Sequence, residues 1–149
     1  MEAWRTVWRN GLAPVLSTDG LAALRDALKN DDYRLTQGST TVPPPLMSQS
    51  NLPCDGSCAI GWCGWHGEGL ETVGEVEDFF ARACFEADCR LGESAASRWF
   101  LHWYDDTPRE EMLRELRGEV EQVLADRLRQ RQQPRVRNRL ATRKNLTAA

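Results

Sequence analysis

Along most of this chain the apolar residues recur at helical spacing, and five helical stretches follow from that pattern. The first is short. Trp4 and Trp8 stand one turn apart beside Val7, Asn10-Gly11 supplies a C-terminal stop, and Pro14 marks the break. The second spans about Gly20 to Asn30, with Leu21, Leu24 and Leu28 on one face and Thr18 or Asp19 as the cap. The third opens on the capping box Thr72-Val-Gly-Glu75, in which hydroxyl and carboxylate each satisfy one free N–H. Its stripe is Val76, Phe79, Phe80, Ala83, Cys84, Ala87 and Leu91, and Gly92 stops it. Asp78–Arg82 and Glu86–Arg90 stand at i,i+4 on the opposite side, spaced for ion pairing. The fourth runs from Ser94 to about Tyr104, with Ala96, Trp99, Phe100 and Trp103 inward; a buried strand over RWFLHWY is the competing reading. The fifth starts at a second box, Thr107-Pro-Arg-Glu110. It buries Met112, Leu113, Leu116, Val120, Val123, Leu124 and Leu128, and ends by Pro134.

Two stretches break the pattern. Residues 36–53 hold four prolines and no charge, which favours a stiff extended connector over a polyproline docking motif. In CDGSCAIGWCGWHGEG, Asp55 is placed to cap a short helix ended by Gly67. Gly61 and Gly64 each weaken such a helix by about 1 kcal/mol relative to Ala, so an irregular course is expected. The fold class is therefore mostly α: a compact helical domain of about five helices over 1–130, with 36–70 as an irregular Pro-rich and Cys/Trp/Gly-rich insertion. A disordered, flexible basic tail follows over 131–149. The ridges at 76–91, 96–103 and 112–128 are expected to collapse on one another.

Composition supports a folded, α-rich chain. Ile occurs once and Val eight times in 149 residues, so strand formers are scarce. Six Trp and a net charge of only −3 argue against disorder. No apolar run approaches the ~18 residues of a membrane span. Glu2, Arg5 and Arg9 interrupt the first twenty residues, which do not make a signal peptide. The mild net charge hides a polarised layout. Residues 1–126 hold 11 Lys+Arg against 22 Asp+Glu, whereas 127–149 hold 8 Lys+Arg and no acid. An acidic body with a basic tail suggests an electrostatic partner for the tail: a nucleic acid, an acidic protein, or an acidic body of this chain, its own or that of a second copy.

Tyr33-Arg-Leu-Thr-Gln37-Gly38, Cys58-Ala-Ile-Gly-Trp-Cys63 and Trp103-Tyr-Asp105-Asp106-Thr-Pro-Arg-Glu110 occur here in that order. The arrangement, over roughly 18–128, resembles a family of small bacterial and phage proteins of unknown function. The resemblance implies a bacterial cytoplasmic protein and transfers no catalytic residue.

Candidate chemistry concentrates in the middle of the chain. Cys54, Cys58, Cys63 and His66 offer four soft or borderline ligands within thirteen residues, a set suited to one structural zinc. The spacing lacks a pair of C-x2-C units, and the favoured reading is that these cysteines pack as small apolar groups beside Trp62 and Trp65. Five Cys, an odd count, argue against structural disulfides. Cys84 and Cys89 lie about 140° apart around a helix and do not share a face. Trp-Cys63-Gly-Trp-His66 resembles a redox turn with His in the second cysteine's place, but it lacks a resolving cysteine and a following long helix. His102 has Asp105 and Asp106 three and four residues on; a surface histidine at a negative helix end accounts for it better than a general base. Trp62 and Trp65, in Gly-rich surroundings, are candidate exposed contact aromatics.

Arg127, Arg129, Arg131, Arg135, Arg137, Arg139, Arg143 and Lys144 are the candidate partner or nucleic-acid contacts. If all eight met phosphates of duplex DNA, the salt slope would be about −7, at ~0.9 per contact. The reading that covers these features is a non-enzymatic protein-interaction or scaffold module. The alternatives are a nucleic-acid-associated accessory protein acting through the tail, and a zinc-stabilised binding module.

Overall fold

A computed structural model describes residues 1–46 and 50–133. The chain is mostly helical, with six α-helices among the described residues: α1 (Ala3–Val7), α2 (Thr18–Lys29), α3 (Ala59–Gly67), α4 (Val73–Leu91), α5 (Arg98–Asp106) and α6 (Arg109–Gln132). A two-stranded antiparallel ribbon pairs β1 (Thr41–Val42) with β2 (Gly56–Ser57), Thr41 opposite Ser57. Among the described residues no helix is long and apolar enough to cross a membrane. The predicted tail begins inside α6, since Arg131 and Gln132 are still helical, and residues 134–149 lie outside the described residues.

The helix that glycine content argued against is the centre of the molecule. Residues 59–64 of α3 are all buried, so the segment 36–70 is not irregular throughout. Two contacts offset its poor intrinsic propensity. A Cβ on Gly64 would lie 2.6 Å from Phe79 Cγ, so α4 reaches α3 only because that side chain is absent. Burial of Ile60, Trp62 and Cys63 then supplies the apolar gain that propensity lacks. Its N-cap is Cys58, whose sulfur accepts from Gly61 N at 3.5 Å; Asp55 takes no part.

Around α3 the other helices are arranged differently from three ridges meeting face to face. α2 lies against both α3 and α6, α4 packs on α3 and on the N-terminal segment, and α5 packs on α1. Trp4, Trp8, Leu12, Phe100, Met112, Leu116 and Val120 share one core with α3. The N-terminal helix does not stop at Gly11. It widens into a π turn (Trp8–Leu12) and tightens into a 3-10 turn (Ala13–Val15). Gly11 is a point of close approach, where a Cβ would meet Leu91 Cδ1 at 2.7 Å.

Helix ends followed local signals where tertiary contacts left them free. The Thr72–Glu75 box forms in full, and Gly92 closes α4 at φ 69°. Ser17, not Thr18 or Asp19, caps α2 by accepting from Gly20 N. α5 is a helix rather than a strand, and it starts four residues later than Ser94. Asp88 holds the preceding turn, accepting from Ala95 N (3.1 Å) and Ser97 N (2.7 Å). The second box does not form. Pro108 is the N-cap of α6, and the Thr107 carbonyl instead accepts from Gln37 Nε2 at 2.9 Å. Neither Asp78–Arg82 nor Glu86–Arg90 closes into an ion pair among the described residues. Leu128 and Trp99, assigned inward, are exposed.

Long-range polar ties also hold the fold, and two clusters of them stand at its opposite ends. Arg5 and Arg9 converge on Glu119, which is only 4% exposed: Arg5 Nη1 donates at 2.8 Å, Arg9 Nη2 at 2.7 Å and Arg9 Nε at 2.9 Å. Burial raises the Glu119 pKa, and the two guanidiniums more than offset it, leaving the carboxyl below its usual range. At the other end, Gln37 Nε2 donates to the carbonyls of Tyr104 (2.7 Å) and Thr107, and Gly38 N donates to Asp105 Oδ1 (2.8 Å). Tyr104 returns a bond to Thr36 O at 2.8 Å. The unpaired carbonyls at the end of α5 are thus satisfied by the connector.

Candidate functional site

The cysteine and histidine side chains are separated by the way α3 is built. Cys54 precedes β2 and donates to Gly56 O at 3.2 Å. Cys58 caps α3, and Cys63 points inward and donates to Ala59 O at 3.5 Å. His66, one turn later, is on the surface. Among the described residues no group of three or more His, Cys, Asp or Glu is placed to hold a metal ion, so Cys54, Cys58, Cys63 and His66 are not brought together as a ligand set. Burial pushes the Cys58 thiol up to about 12 and that of Cys63 also upward. Both are therefore protonated at neutral pH, the opposite of an activated nucleophile. Cys84 is pushed up to about 11 by the same cause.

The Trp–Cys–Gly–Trp–His motif organises a different cluster. Trp62 is buried and donates from Nε1 to Ala23 O at 3.2 Å, so it is not the exposed contact that its sequence neighbours suggested. Trp65 is half-buried, with its ring 5.3 Å from that of Trp62 in an edge-on arrangement. The imidazole of His66 lies 4.3 Å from the Trp62 ring and 4.2 Å from the Trp65 ring. The guanidinium of Arg34 sits over both indoles at 5.5 and 5.6 Å. Asp32 holds that guanidinium in place, at 2.9 Å from Nη2 and 3.1 Å from Nε. Partial burial and then the charge of Arg34 keep the His66 pKa below its usual value, with Asp32 acting against them.

The large exposed aromatics lie elsewhere. Trp99 on α5 is 59% exposed and Phe85 on α4 is 69% exposed. In sequence they flank the turn between α4 and α5. Phe85 is one turn before Asp88, which grips the turn at Ala95 and Ser97, and Trp99 is two residues beyond Ser97. Trp103, one turn after Trp99, stacks on Trp4 with ring centres 3.5 Å apart and planes within 6°. An aromatic strip thus runs from open surface into the core. Phe100 and Tyr104 occupy the buried face of α5, and Trp99, about 100° round from Phe100, lies outside it.

The basic residues divide. Arg127 is drawn into the fold, donating to Thr18 Oγ1 (3.1 Å) and Ala13 O (2.8 Å). Arg129 pairs with Asp126, and Arg131 is exposed. Arg135, Arg137, Arg139, Arg143 and Lys144 lie outside the described residues. Asp105 spends an oxygen on Gly38, and no bond joins His102 to Asp105 or Asp106. No protein-family model, no curated protein and no solved structure matches the chain.

Proposed function

We propose that the protein is a non-enzymatic binding module that recognises another protein through the α4–α5 corner, with Trp99 and Phe85 as anchors. The observation that carries this reading is the 59% exposure of Trp99 on a helix whose Phe100 and Tyr104 are fully buried. Tryptophan is the most enriched anchor of protein interfaces, and the turn beneath it is fixed by Asp88. A rigid aromatic anchor loses little entropy on binding. The test compares proteins retained by the wild type with those retained by Trp99→Ser and Phe85→Ser, after circular dichroism has verified the fold of each. Proteins held by the wild type and lost from both variants support the reading; identical sets overturn it. Sedimentation of the same three proteins shows whether the partner is a second copy.

The resemblance to small bacterial and phage proteins adds a bacterial, cytoplasmic setting to this proposal. The charge of residues 127–149 supports a second reading, a nucleic-acid-associated accessory protein. Arg131 is exposed near the end of α6, and Arg135, Arg137, Arg139, Arg143 and Lys144 follow it in the sequence. Retention on DNA or RNA that falls steeply with salt would favour it.

A further inference from the structure

The N-terminal segment changes helical pitch twice within eight residues, from the π turn Trp8–Leu12 to the 3-10 turn Ala13–Val15. π turns are rare and concentrate at functional sites, because one extra residue rotates the side chains that follow. Here these turns form one wall of a cleft of about 780 Å³, and the C-terminal half of α6 forms another. Arg90 of α4 joins the lining, so three guanidiniums face the cleft: Arg9, Arg90 and Arg127. The volume is within the ordinary range for small-molecule sites.

The charges of this cleft are unevenly satisfied. Its two carboxylates already have partners. Glu119 is held by Arg5 and Arg9, and Asp126 accepts from Gln122 Nε2 at 3.0 Å and pairs with Arg129. Arg127 meets only neutral acceptors, Thr18 Oγ1 and Ala13 O, although it is partly buried. Burial without a counter-ion lowers its pKa from the usual value. Arg90 has no carboxylate partner among the described residues. A guanidinium carries five donors, and Arg127 spends two of them on the fold. The cleft therefore offers spare N–H donors and spare positive charge, with no free acid for a cation. Its lining holds no aromatic ring on which a nucleobase would stack.

We propose that this cleft binds a small phosphate-bearing molecule, gripped by the guanidiniums of Arg90 and Arg127. Planar forks match phosphate oxygens in pairs, and a tetrahedral dianion can meet two forks at once. Recognition is by the phosphate group rather than by the rest of the molecule.

The test is calorimetric titration of the full chain with inorganic pyrophosphate, and separately with citrate, at fixed ionic strength. Saturable pyrophosphate binding below about 1 mM is expected, with citrate at least about tenfold weaker. Arg90→Gln removes an exposed side chain that holds no other element, and it should weaken pyrophosphate about tenfold while leaving the melting temperature unchanged. Arg82→Gln is the control: it removes the same charge from the same helix, outside the cleft, and leaves the basic residues beyond α6 intact. It should bind as the wild type does. Absence of saturation, equal weakening by both substitutions, or citrate binding as tightly as pyrophosphate would each overturn the proposal.

Discussion

Gly20 and Gly67 meet backbone to backbone: a Cβ on Gly67 would lie 2.2 Å from Gly20 Cα and 2.6 Å from Gly20 N. The first turn of α2 and the last turn of α3 cross at that point. Ordinarily Gly→Ala in a helix is stabilising by about 0.5–1 kcal/mol. Here the obstacle is backbone, which cannot rotate away, so Gly67→Ala should destabilise by about 2–3 kcal/mol. The urea midpoint should fall with an unchanged slope. A midpoint at or above that of the wild type would mean that the helices do not cross there.

Glu119 sets a pH dependence of known sign. Its folded pKa is below the ordinary 4.5, so its pairing with Arg5 and Arg9 contributes stability above that pH and loses it as pH falls through the folded value. Glu119→Gln should therefore cost about 1–3 kcal/mol at pH 7, with the difference from wild type shrinking in acid. Urea melts at neutral and acid pH measure both quantities. A difference independent of pH would show that charge is not what Glu119 contributes.

His66 reports on the indole cluster. Neutral imidazole is favoured in the folded state, so its protonation midpoint should fall below 6.5. Stability linked to it is full above 6.5 and is lost as pH drops through the folded midpoint. Protonation beside Trp62 and Trp65 should change tryptophan emission along that curve. His66→Gln should flatten it, and an unaltered curve would place the titrating group elsewhere.

The five thiols should separate by access. Cys54, Cys58 and Cys63 are buried, Cys84 is half-buried, and Cys89 is exposed. With Cys58 pushed up to about 12 and Cys84 up to about 11, a thiol reagent near pH 7.5 should label one cysteine quickly in the native protein and all five in denaturant. Fast labelling of Cys54, Cys58 or Cys63 in the native state, located by peptide mapping, would contradict their burial.

Local signals were legible where the side chains involved are neighbours in sequence. Thr72, Glu75 and Gly92 bound α4 because hydroxyl, carboxylate and left-handed glycine act within a turn of themselves. The second box also sets Thr107 three residues before Glu110 and fails, because the Thr107 N–H that Glu110 would take already donates to the Trp103 carbonyl at the end of α5, and Pro108 becomes the cap of α6. α3 was hidden for the complementary reason. Glycines that weaken an isolated helix are what let α2 and α4 approach it, and that benefit exists only in the assembled core. Likewise, Cys63 and His66 are three apart in sequence, but α3 turns one inward and the other to solvent. Helical spacing put Trp99 and Leu128 on a stripe without saying how wide the buried part of the stripe would be.

The clasp of Gln37 on α5 has a consequence for synthesis. Its acceptors lie 67 and 70 residues downstream, and the partners of Arg5 and Arg9 lie 110 or more downstream. At about 5–20 residues per second, Gln37 waits roughly 3–14 s on the ribosome for those acceptors, although β2 can pair with the neighbouring Thr41–Val42 much sooner. α2 and α3 can meet early, but the first helix finds its place against α5 only after residues 98–106 have emerged.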